Sequence, residues 1–381
     1  MEEEEEENSL SNDELLDDWL IESIKLYNSL HAFELQDPTK VIEWTGEKSI
    51  CVAGFKSGGK SEILELTLPQ KLFAKEDQGL CPERDFKVEH GGFSERPIYC
   101  LKHVQGTRLL VSSGPPDNSL QIWRIGVDDS DVIRLLNCIN NEELNNHWSK
   151  IATSAAGSPC VLHGTHVKNL QVTEIESTKN VFLPGIASVD LVSSLEFLSK
   201  DVFLACSVRG QMWLMDMRQQ KVVEAQDICA VPAEDFYWCM GVERRKPDLD
   251  AVPCRVAKLS SAGHIFVSDV RNLAKHVCQR KVSIPSPVAE NMFMNVSWAP
   301  ALDNSIAISG FSGSIEIYNT TSWHSTDTEA CPMFVHKGHT VLEDRDDGEI
   351  PLVTAHTWHP WKPRTVLSAA TDGSLQVWEW R

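Results

Sequence analysis

A short phrase that recurs seven times along the 381-residue chain constrains its fold more than any other feature. In the last copy, Leu375-Gln-Val377-Trp378-Glu379 follows the turn Thr371-Asp372-Gly373. A second apolar strand precedes the phrase, and a third strand further upstream often carries a tryptophan, as at Trp44, Trp298 and Trp358. Short strands separated by Gly, Asp and Ser turns at a period of about 50 residues are typical of propeller blades. The other copies lie 42 to 60 residues apart and begin at Ile63, Leu120, Leu170, Met212, Ile265 and Ile315.

The sequence therefore predicts an all-β fold, a seven-bladed WD-repeat β-propeller that spans residues 31–381. Gly338-His339 stands 39 residues before Trp378, which fits the Gly-His to Trp-acid pairing of WD repeats. We expect His339 to join Ser368, Asp372 and Trp378 in a buried hydrogen-bonded tetrad resembling that of WD blades.

The two ends of the sequence are expected to close the ring. Arg381 directly follows the third strand of the last blade, so this blade needs an outer strand from elsewhere. The segment His31-Ala-Phe33-Glu-Leu35 alternates as a strand does and precedes blade one. We expect it to pair with the last blade, because a closed ring removes an open strand edge.

An extra amphipathic helix is predicted over residues 11–30. Ser11-Asn-Asp-Glu14 fits a capping box, and apolar residues at helical spacing follow it. Either the helix packs on the propeller rim, or Trp19 and Leu20 form an exposed stripe that binds a partner. Residues 1–10 contain a run of six glutamates and are predicted to be a disordered acidic tail. The apolar helix positions are Leu16, Trp19, Leu20, Ile24 and Tyr27.

The net charge of −20 is unevenly distributed. Residues 1–24 hold eleven carboxylates and no Lys or Arg, which leaves 44 acids against 35 bases, or −9, for the rest. Nucleic acids and anionic membranes require a basic face. We therefore expect protein partners, with no direct contact to nucleic acid or membrane.

Compartment and redox state follow from two further features. No stretch of the sequence approaches 18 consecutive apolar residues, and the acidic start is unlike a signal peptide. The eleven cysteines contain no C-x-x-C pair. They are expected to be buried, reduced thiols of an intracellular protein.

One string imitates a nucleotide-binding loop. Gly54-Phe-Lys-Ser-Gly-Gly59-Lys60-Ser61 matches the phosphate-loop pattern, which requires a helix directly after it. Here Leu64, Leu66 and Leu68 alternate and Pro69 ends the segment. The string is therefore predicted to form a hairpin turn between two strands.

The remaining chemistry-bearing residues favour a non-enzymatic protein. Four histidines near the C-terminus, together with Cys331, lack the spacing of a zinc site and are expected in the core. A serine nucleophile elbow is absent from the sequence. We expect no catalytic residue, no metal and no cofactor. The four histidines are His336, His339, His356 and His359.

Two echoes of a docking motif end consecutive blades four and five. Asp216-Met-Arg218 and Asp269-Val-Arg271 resemble the Asp-x-Arg boxes by which WD-repeat substrate receptors bind the adaptor of cullin-RING ubiquitin ligases. The tryptophan that opens the usual box is Met215 in one and Ser268 in the other. The alternative is that each arginine caps its strand through a neighbouring carboxylate.

Several stretches together resemble the WD repeat-containing protein 73 family in its vertebrate form. The similarity covers nearly the whole chain from about Asp17, and it departs at the glutamate run and around residues 130–150 and 220–250. The segments that carry it are 17–27, 82–88, 90–93, 307–313, 356–360 and 363–365.

The resemblance implies a non-enzymatic, cytoplasmic scaffold for an RNA-processing complex. It implies binding to subunits 9 and 11 of Integrator, which form its RNA endonuclease module, and retention of that pair in an inactive form before nuclear import. It also implies association with microtubules and spindle poles in mitosis, and a monomer within a hetero-complex.

The expected contacts with such a nuclease are acidic. A metallo-β-lactamase-type nuclease holds RNA in a basic cleft, which the helix 11–30 and the loop Glu343-Asp344-Arg-Asp346-Asp347 would complement in charge. Two other functions stay open at this point: a ubiquitin-ligase substrate receptor that uses Arg218 and Arg271, and an acidic chaperone for basic proteins.

Overall fold

The computed structural model describes residues 19, 21–55, 59–69, 85–126, 130–140, 147–219, 236–244, 255–284, 291–323, 329–340 and 350–381, and the backbone alone at 221–225. In this part of the chain, 28 strands form seven four-stranded antiparallel sheets. The first strands of neighbouring sheets contact one another around a ring. The predicted seven-bladed all-β propeller is confirmed.

Each of the first six blades runs outward from the central channel in sequence order. Blade one contains β2 (Thr39–Trp44), β3 (Ser49–Gly54), β4 (Ser61–Thr67) and β5 (Lys87–Ser94). Blade two contains β6 (Cys100–His103), β7 (Leu109–Ser113), β8 (Leu120–Ile125) and β9 (Ile133–Ile139). Blade three contains β10 (Lys150–Ser154), β11 (Cys160–Gly164), β12 (Gln171–Glu174) and β13 (Asn180–Phe182).

The second half of the ring repeats this order. Blade four contains β14 (Val192–Phe197), β15 (Val202–Ser207), β16 (Met212–Asp216) and β17 (Lys221–Ala225). Blade five contains β18 (Trp238–Val242), β19 (Arg255–Ser260), β20 (His264–Asp269) and β21 (Asn272–Lys281). Blade six contains β22 (Asn295–Trp298), β23 (Ser305–Ser309), β24 (Ile315–Asn319) and β25 (Phe334–His336). Short 3-10 helices occupy Val167–Asn169, Asn291–Phe293, Thr320–Ser322 and Gly338–Thr340.

Blade seven is built from both ends of the chain. β26 (Val353–Trp358), β27 (Thr365–Ala370) and β28 (Ser374–Trp380) are completed by β1 (Tyr27–Glu34), which pairs with β28 in antiparallel register. The expected N-terminal outer strand is present. It begins at Tyr27, four residues before the predicted segment.

The predicted helix ends earlier than residue 30. Residue 19 and residues 21–26 are helical, and the chain becomes a strand at Tyr27. The reason is the burial of the Tyr27 ring, whose hydroxyl bonds to Nδ1 of His336 in blade six at 2.8 Å. The ring also packs edge-on against Phe334 and Trp378. Tyr27 therefore belongs to the propeller core and not to an apolar helix stripe.

Antiparallel blades place their turns on two opposite faces. The lower face carries the turns between first and second strands and between third and fourth strands, together with residues 21–26. The upper face carries the turns between second and third strands and the linkers between blades. The predicted hairpin at the phosphate-loop string is confirmed and lies on this upper face: Gly54 ends β3, Ser61 begins β4, and Ala53 pairs with Ile63.

Tryptophans of the first strands join neighbouring blades. Trp44 donates its indole N–H to the carbonyl of Trp358 at 3.0 Å, Trp358 to that of Ser297 at 3.3 Å, and Trp298 to that of Gly241 at 3.1 Å. Each bond therefore links one blade to the blade before it, around the closure of the ring. The indoles also fill apolar clusters between blades, which accounts for their repeated place in the sequence.

Candidate partner-binding surfaces

Blade seven contains a chain of hydrogen bonds through the four predicted tetrad residues and one more. The Trp378 indole N–H donates to Ser368 Oγ at 3.1 Å, and Ser368 Oγ lies 2.8 Å from His339 Nε2. On the other side of the imidazole, Nδ1 lies 2.7 Å from Ser374 Oγ, whose hydroxyl donates to Asp372 at 2.6 Å. Ser374 thus stands between His339 and Asp372. The arrangement ties the linker before blade seven to its β27–β28 turn.

Blade two builds the same kind of turn with an arginine. Ser119 donates its hydroxyl to Asp117 at 2.6 Å, and Trp123 donates its indole N–H to Ser112 at 2.8 Å. Arg96 of the preceding linker donates to Asp117 and to Ser119 Oγ, both at 2.9 Å. Arg96 occupies the place of a Gly-His dipeptide. The Asp-x-Ser spacing of residues 117–119 and 372–374 was the sequence signal for this equivalence.

Burial keeps five histidines neutral. It lowers the pKa of His163 and His356 to about 3, of His339 and His359 to about 4, and of His336 well below its usual value. Asp372 opposes the shift at His339 and Lys362 adds to that at His359. We call these five residues the buried histidines.

The ring nitrogens of the buried histidines bond to side chains and backbone groups of neighbouring strands and turns. The ring of His356 bridges Ser297 and Ser309 at 2.6 and 2.7 Å, and that of His359 accepts the backbone N–H groups of Trp361 and Lys362. Among the described residues, no group of three His, Cys, Asp or Glu side chains could hold a metal ion. The hydrogen bonds of these histidines lie inside the propeller core.

Charged and aromatic side chains line the central channel. Lys102 pairs with Glu43 at 3.1 Å, and Glu43 raises the pKa of Lys102. Near the upper end, Lys40 Nζ lies 5.0, 5.0 and 5.3 Å from the ring centroids of Tyr99, Trp148 and Phe293. An ammonium at this distance is attracted to each ring. The protein's own lysine thus occupies this aromatic cluster.

The two Asp-x-Arg segments form matching clamps on the lower face. Arg218 donates from Nε and Nη2 to the two oxygens of Asp216 at 3.0 and 2.7 Å. Arg271 does the same to Asp269 at 2.9 and 2.5 Å. These hydrogen bonds from Arg271 lower the pKa of Asp269 to about 2. Both arginines are exposed but hold their own strand-end carboxylate.

Of the other predicted contact residues, the structure describes Trp19. Trp19 is half-buried, whereas Leu20 and the acidic positions Glu343, Asp344, Asp346 and Asp347 lie outside the described residues. The helical segment instead exposes Ile21, Ile24 and Leu26. The apolar positions predicted from helical spacing included Ile24, with Leu20 before it and Tyr27 after it. They did not include Ile21 or Leu26, which the structure exposes.

Two further observations concern membrane spans and disulfides. No helix among the described residues is long and apolar enough to cross a membrane. The eight cysteines in the described part form no disulfide; Cys51, Cys206 and Cys239 are buried as predicted, whereas Cys331 is exposed.

Comparison with known proteins gives relatives over almost the full length. The chain is 47% identical over 376 residues to "Integrator complex assembly factor WDR73" of Danio rerio, covering 97% of this chain and 98% of that protein. The proteins of the same name from Xenopus laevis and Homo sapiens are 45% and 42% identical, covering 95% and 96% of this chain and 97% of each relative. None of the protein-family models compared with the chain matches it. The propeller, the N-terminal strand that closes it and this identity along the whole chain together show that the protein belongs to the WDR73 family.

Proposed function

We propose that this chain is a non-enzymatic assembly factor for the Integrator complex. In this proposal it binds subunits 9 and 11, the RNA endonuclease module, in the cytoplasm and holds them inactive before nuclear import. The observation that carries the proposal is the 42–47% identity, over at least 95% of the chain, to relatives named Integrator complex assembly factors.

The geometry supports a scaffold. The histidine, serine and aspartate side chains that could serve catalysis in another setting form hydrogen bonds between strands and turns, as in the chain from Trp378 to Asp372. Inter-blade indole bonds hold the blades in a closed ring. A rigid ring of this kind presents two broad faces to protein partners, and the function resides in the residues on those faces.

The test is reconstitution with the two subunits. Purified full-length chain is mixed with the co-expressed pair of subunits 9 and 11, and the complex is followed by size-exclusion chromatography and by RNA cleavage. We expect a stable complex with reduced cleavage. The proposal fails if the three proteins elute separately, and its inhibitory part fails if the complex cleaves RNA at the rate of the free pair.

Location is tested in cells. We propose that the chain is cytoplasmic and that a fraction associates with spindle poles in mitosis. Imaging of a tagged chain before and after depletion of subunit 9 addresses both statements. A chain that is nuclear throughout interphase contradicts the cytoplasmic step.

A ubiquitin-ligase receptor is the second candidate. The observation in its favour is that Arg218 and Arg271 project from consecutive blades on one face with the same clamp geometry. This function predicts that Arg218→Ala with Arg271→Ala abolishes binding to the ligase adaptor. The assembly-factor function predicts that the double variant still binds subunits 9 and 11 as the wild type does.

The salt dependence of binding distinguishes the third candidate function, an acidic chaperone, from the assembly factor and the ubiquitin-ligase receptor. The carboxylates of residues 1–24 would bind basic proteins without sequence preference. Such binding is lost in moderate salt because counterions screen exposed charges. A complex with subunits 9 and 11 that persists at 0.3 M NaCl argues against this third function.

A further inference from the structure

Exposed apolar side chains gather where the helical segment meets blades six and seven. Ile21, Ile24 and Leu26 are 57%, 69% and 44% exposed, and Met333 is 47% exposed. Single exposed apolar residues are ordinary on protein surfaces. Here three of them lie on one short helical segment and the fourth lies beside its end, and a cluster of exposed apolar side chains marks an interaction site.

The set rests on a rigid base. Leu26 and Met333 directly precede Tyr27 and Phe334 in the chain, and the rings of those two residues lie 5.5 Å apart. The Leu26 carbonyl accepts the backbone N–H of Arg381 at 3.1 Å. Phe334 in turn stacks on Trp380 at 5.5 Å. The end of the helical segment is thus anchored to the last strand of the propeller, and Met333 lies beside it.

The charge of the sequence around these residues indicates what kind of partner would bind them. Residues 1–24 carry eleven carboxylates and no basic side chain. On the helical segment itself Glu22 and Lys25 are both exposed, so the negative charge comes from the sequence that precedes this segment. This strongly negative flank repels anionic membranes and acidic proteins. It attracts a surface on which an apolar groove is bordered by lysine and arginine.

We infer that Ile21, Ile24, Leu26 and Met333 form a docking surface for a protein that presents an apolar groove with a basic border. The acidic flank steers the partner, and the two isoleucines enter the groove as helix-in-groove anchors do. The inference rests on the proposed function for the identity of that partner, the pair of subunits 9 and 11.

The test compares two double substitutions in the full-length chain. Ile21→Ser with Ile24→Ser removes the anchors, and Leu135→Ser with Leu136→Ser removes two similarly exposed residues from β9 on blade two. The control leucines are 46% and 50% exposed. Because neither pair is buried, both variants should unfold at the wild-type temperature, which thermal denaturation checks.

The readout is the dissociation constant for the subunit pair at two salt concentrations. We expect the isoleucine variant to bind about tenfold more weakly or worse, and the leucine variant to stay within about twofold of wild type. Removing residues 1–18 should also weaken binding at 0.05 M NaCl and reduce its salt dependence. Leu26, whose carbonyl accepts the backbone N–H of Arg381, remains in that truncation.

The outcomes separate the two proposals. If wild type binds and the isoleucine variant binds equally well, the docking surface is refuted and the assembly function stands. If the isoleucine variant changes only the self-association of the chain, the occupant is a second copy and the inference is wrong. If wild type binds neither subunit, the assembly function itself fails and takes this partner assignment with it.

Discussion

Replacing Ser368 with alanine removes the centre of the hydrogen-bonded chain in blade seven. The directions of these bonds follow from the Asp372 end of the chain, where a carboxylate oxygen can only accept. Ser374 donates its proton to Asp372, so its oxygen accepts from His339 Nδ1–H, and His339 Nε2 is left as an acceptor. Ser368 therefore donates to that nitrogen at 2.8 Å and accepts from the Trp378 indole at 3.1 Å.

The substitution leaves two buried polar groups without a partner. Ser368, His339 and Trp378 are at most 1% exposed, so water cannot replace the lost hydroxyl without a rearrangement. Each buried group left unsatisfied costs about 1–3 kcal/mol. We therefore expect Ser368→Ala to lower the free energy of unfolding by about 2–6 kcal/mol.

Blade two supplies the matched control. Ser112 accepts from the Trp123 indole at 2.8 Å, in a blade where Arg96 and not a histidine clamps the turn. Ser112→Ala orphans one indole N–H and should cost about 1–3 kcal/mol.

Urea-induced unfolding followed by tryptophan fluorescence measures both variants against wild type. A Ser368→Ala protein as stable as wild type, or no less stable than Ser112→Ala, would refute the role of Ser368 as the hydrogen-bonded link between His339 and Trp378.

Three further predictions concern stability. Each buried histidine has a folded-state pKa below its usual value of about 6.5, so its stabilising contribution is complete above that pH and is lost as the pH falls. Lowering the pH from 7 to 5 should cost about 2 kcal/mol per buried histidine, and a free energy of unfolding that is flat over this range contradicts the burial argument. Tyr27→Phe should cost about 1 kcal/mol through the lost bond to blade six, with faster amide exchange in β1; unchanged exchange there refutes the role of the hydroxyl. Gly310→Ala should destabilise more than Gly157→Ala in thermal denaturation, although both glycines have φ above +90°, because only at Gly310 does the added methyl meet a carbonyl, that of Phe293. Equal melting temperatures for the two variants would show that backbone strain outweighs the collision.

The blade count could be predicted because each blade repeats a local pattern. All seven copies of the apolar phrase lie on third strands, from β4 to β28. Each of these strands lies between two others of its sheet. Burial therefore imposes a pattern of apolar residues on it, and this pattern can be recognised in the sequence. Even the weak copy, which begins at Leu170, falls on a third strand, because Leu170 directly precedes β12. A blade needs a strand at this position even where the phrase is poorly matched.

The helix boundary could not be predicted, because local spacing at residues 24–30 fits both periods. Ile24 and Tyr27 are three residues apart, as on one face of a helix. Tyr27 and Ser29 are both buried at strand spacing once β1 pairs with β28. The choice between the two is made by contacts with residues more than 300 positions away, such as His336. A sequence window contains none of them.

The upper face is described by hydrogen bonds within its turns, and the lower face by apolar side chains that stay exposed. On the upper face the turns of blades two and seven are clamped internally, by Arg96 in one and His339 in the other. Two different residue types therefore clamp the same turn geometry, which a motif written in residue types does not capture. On the lower face Ile21 and Ile24 stay exposed beside the most acidic part of the sequence. Linkers of the upper face also expose apolar side chains, at Leu183, Val189 and Ile350. Unburied apolar area is unfavourable in water, and only on the lower face does it stand next to this acidic sequence, which directs the search for a basic partner to that face.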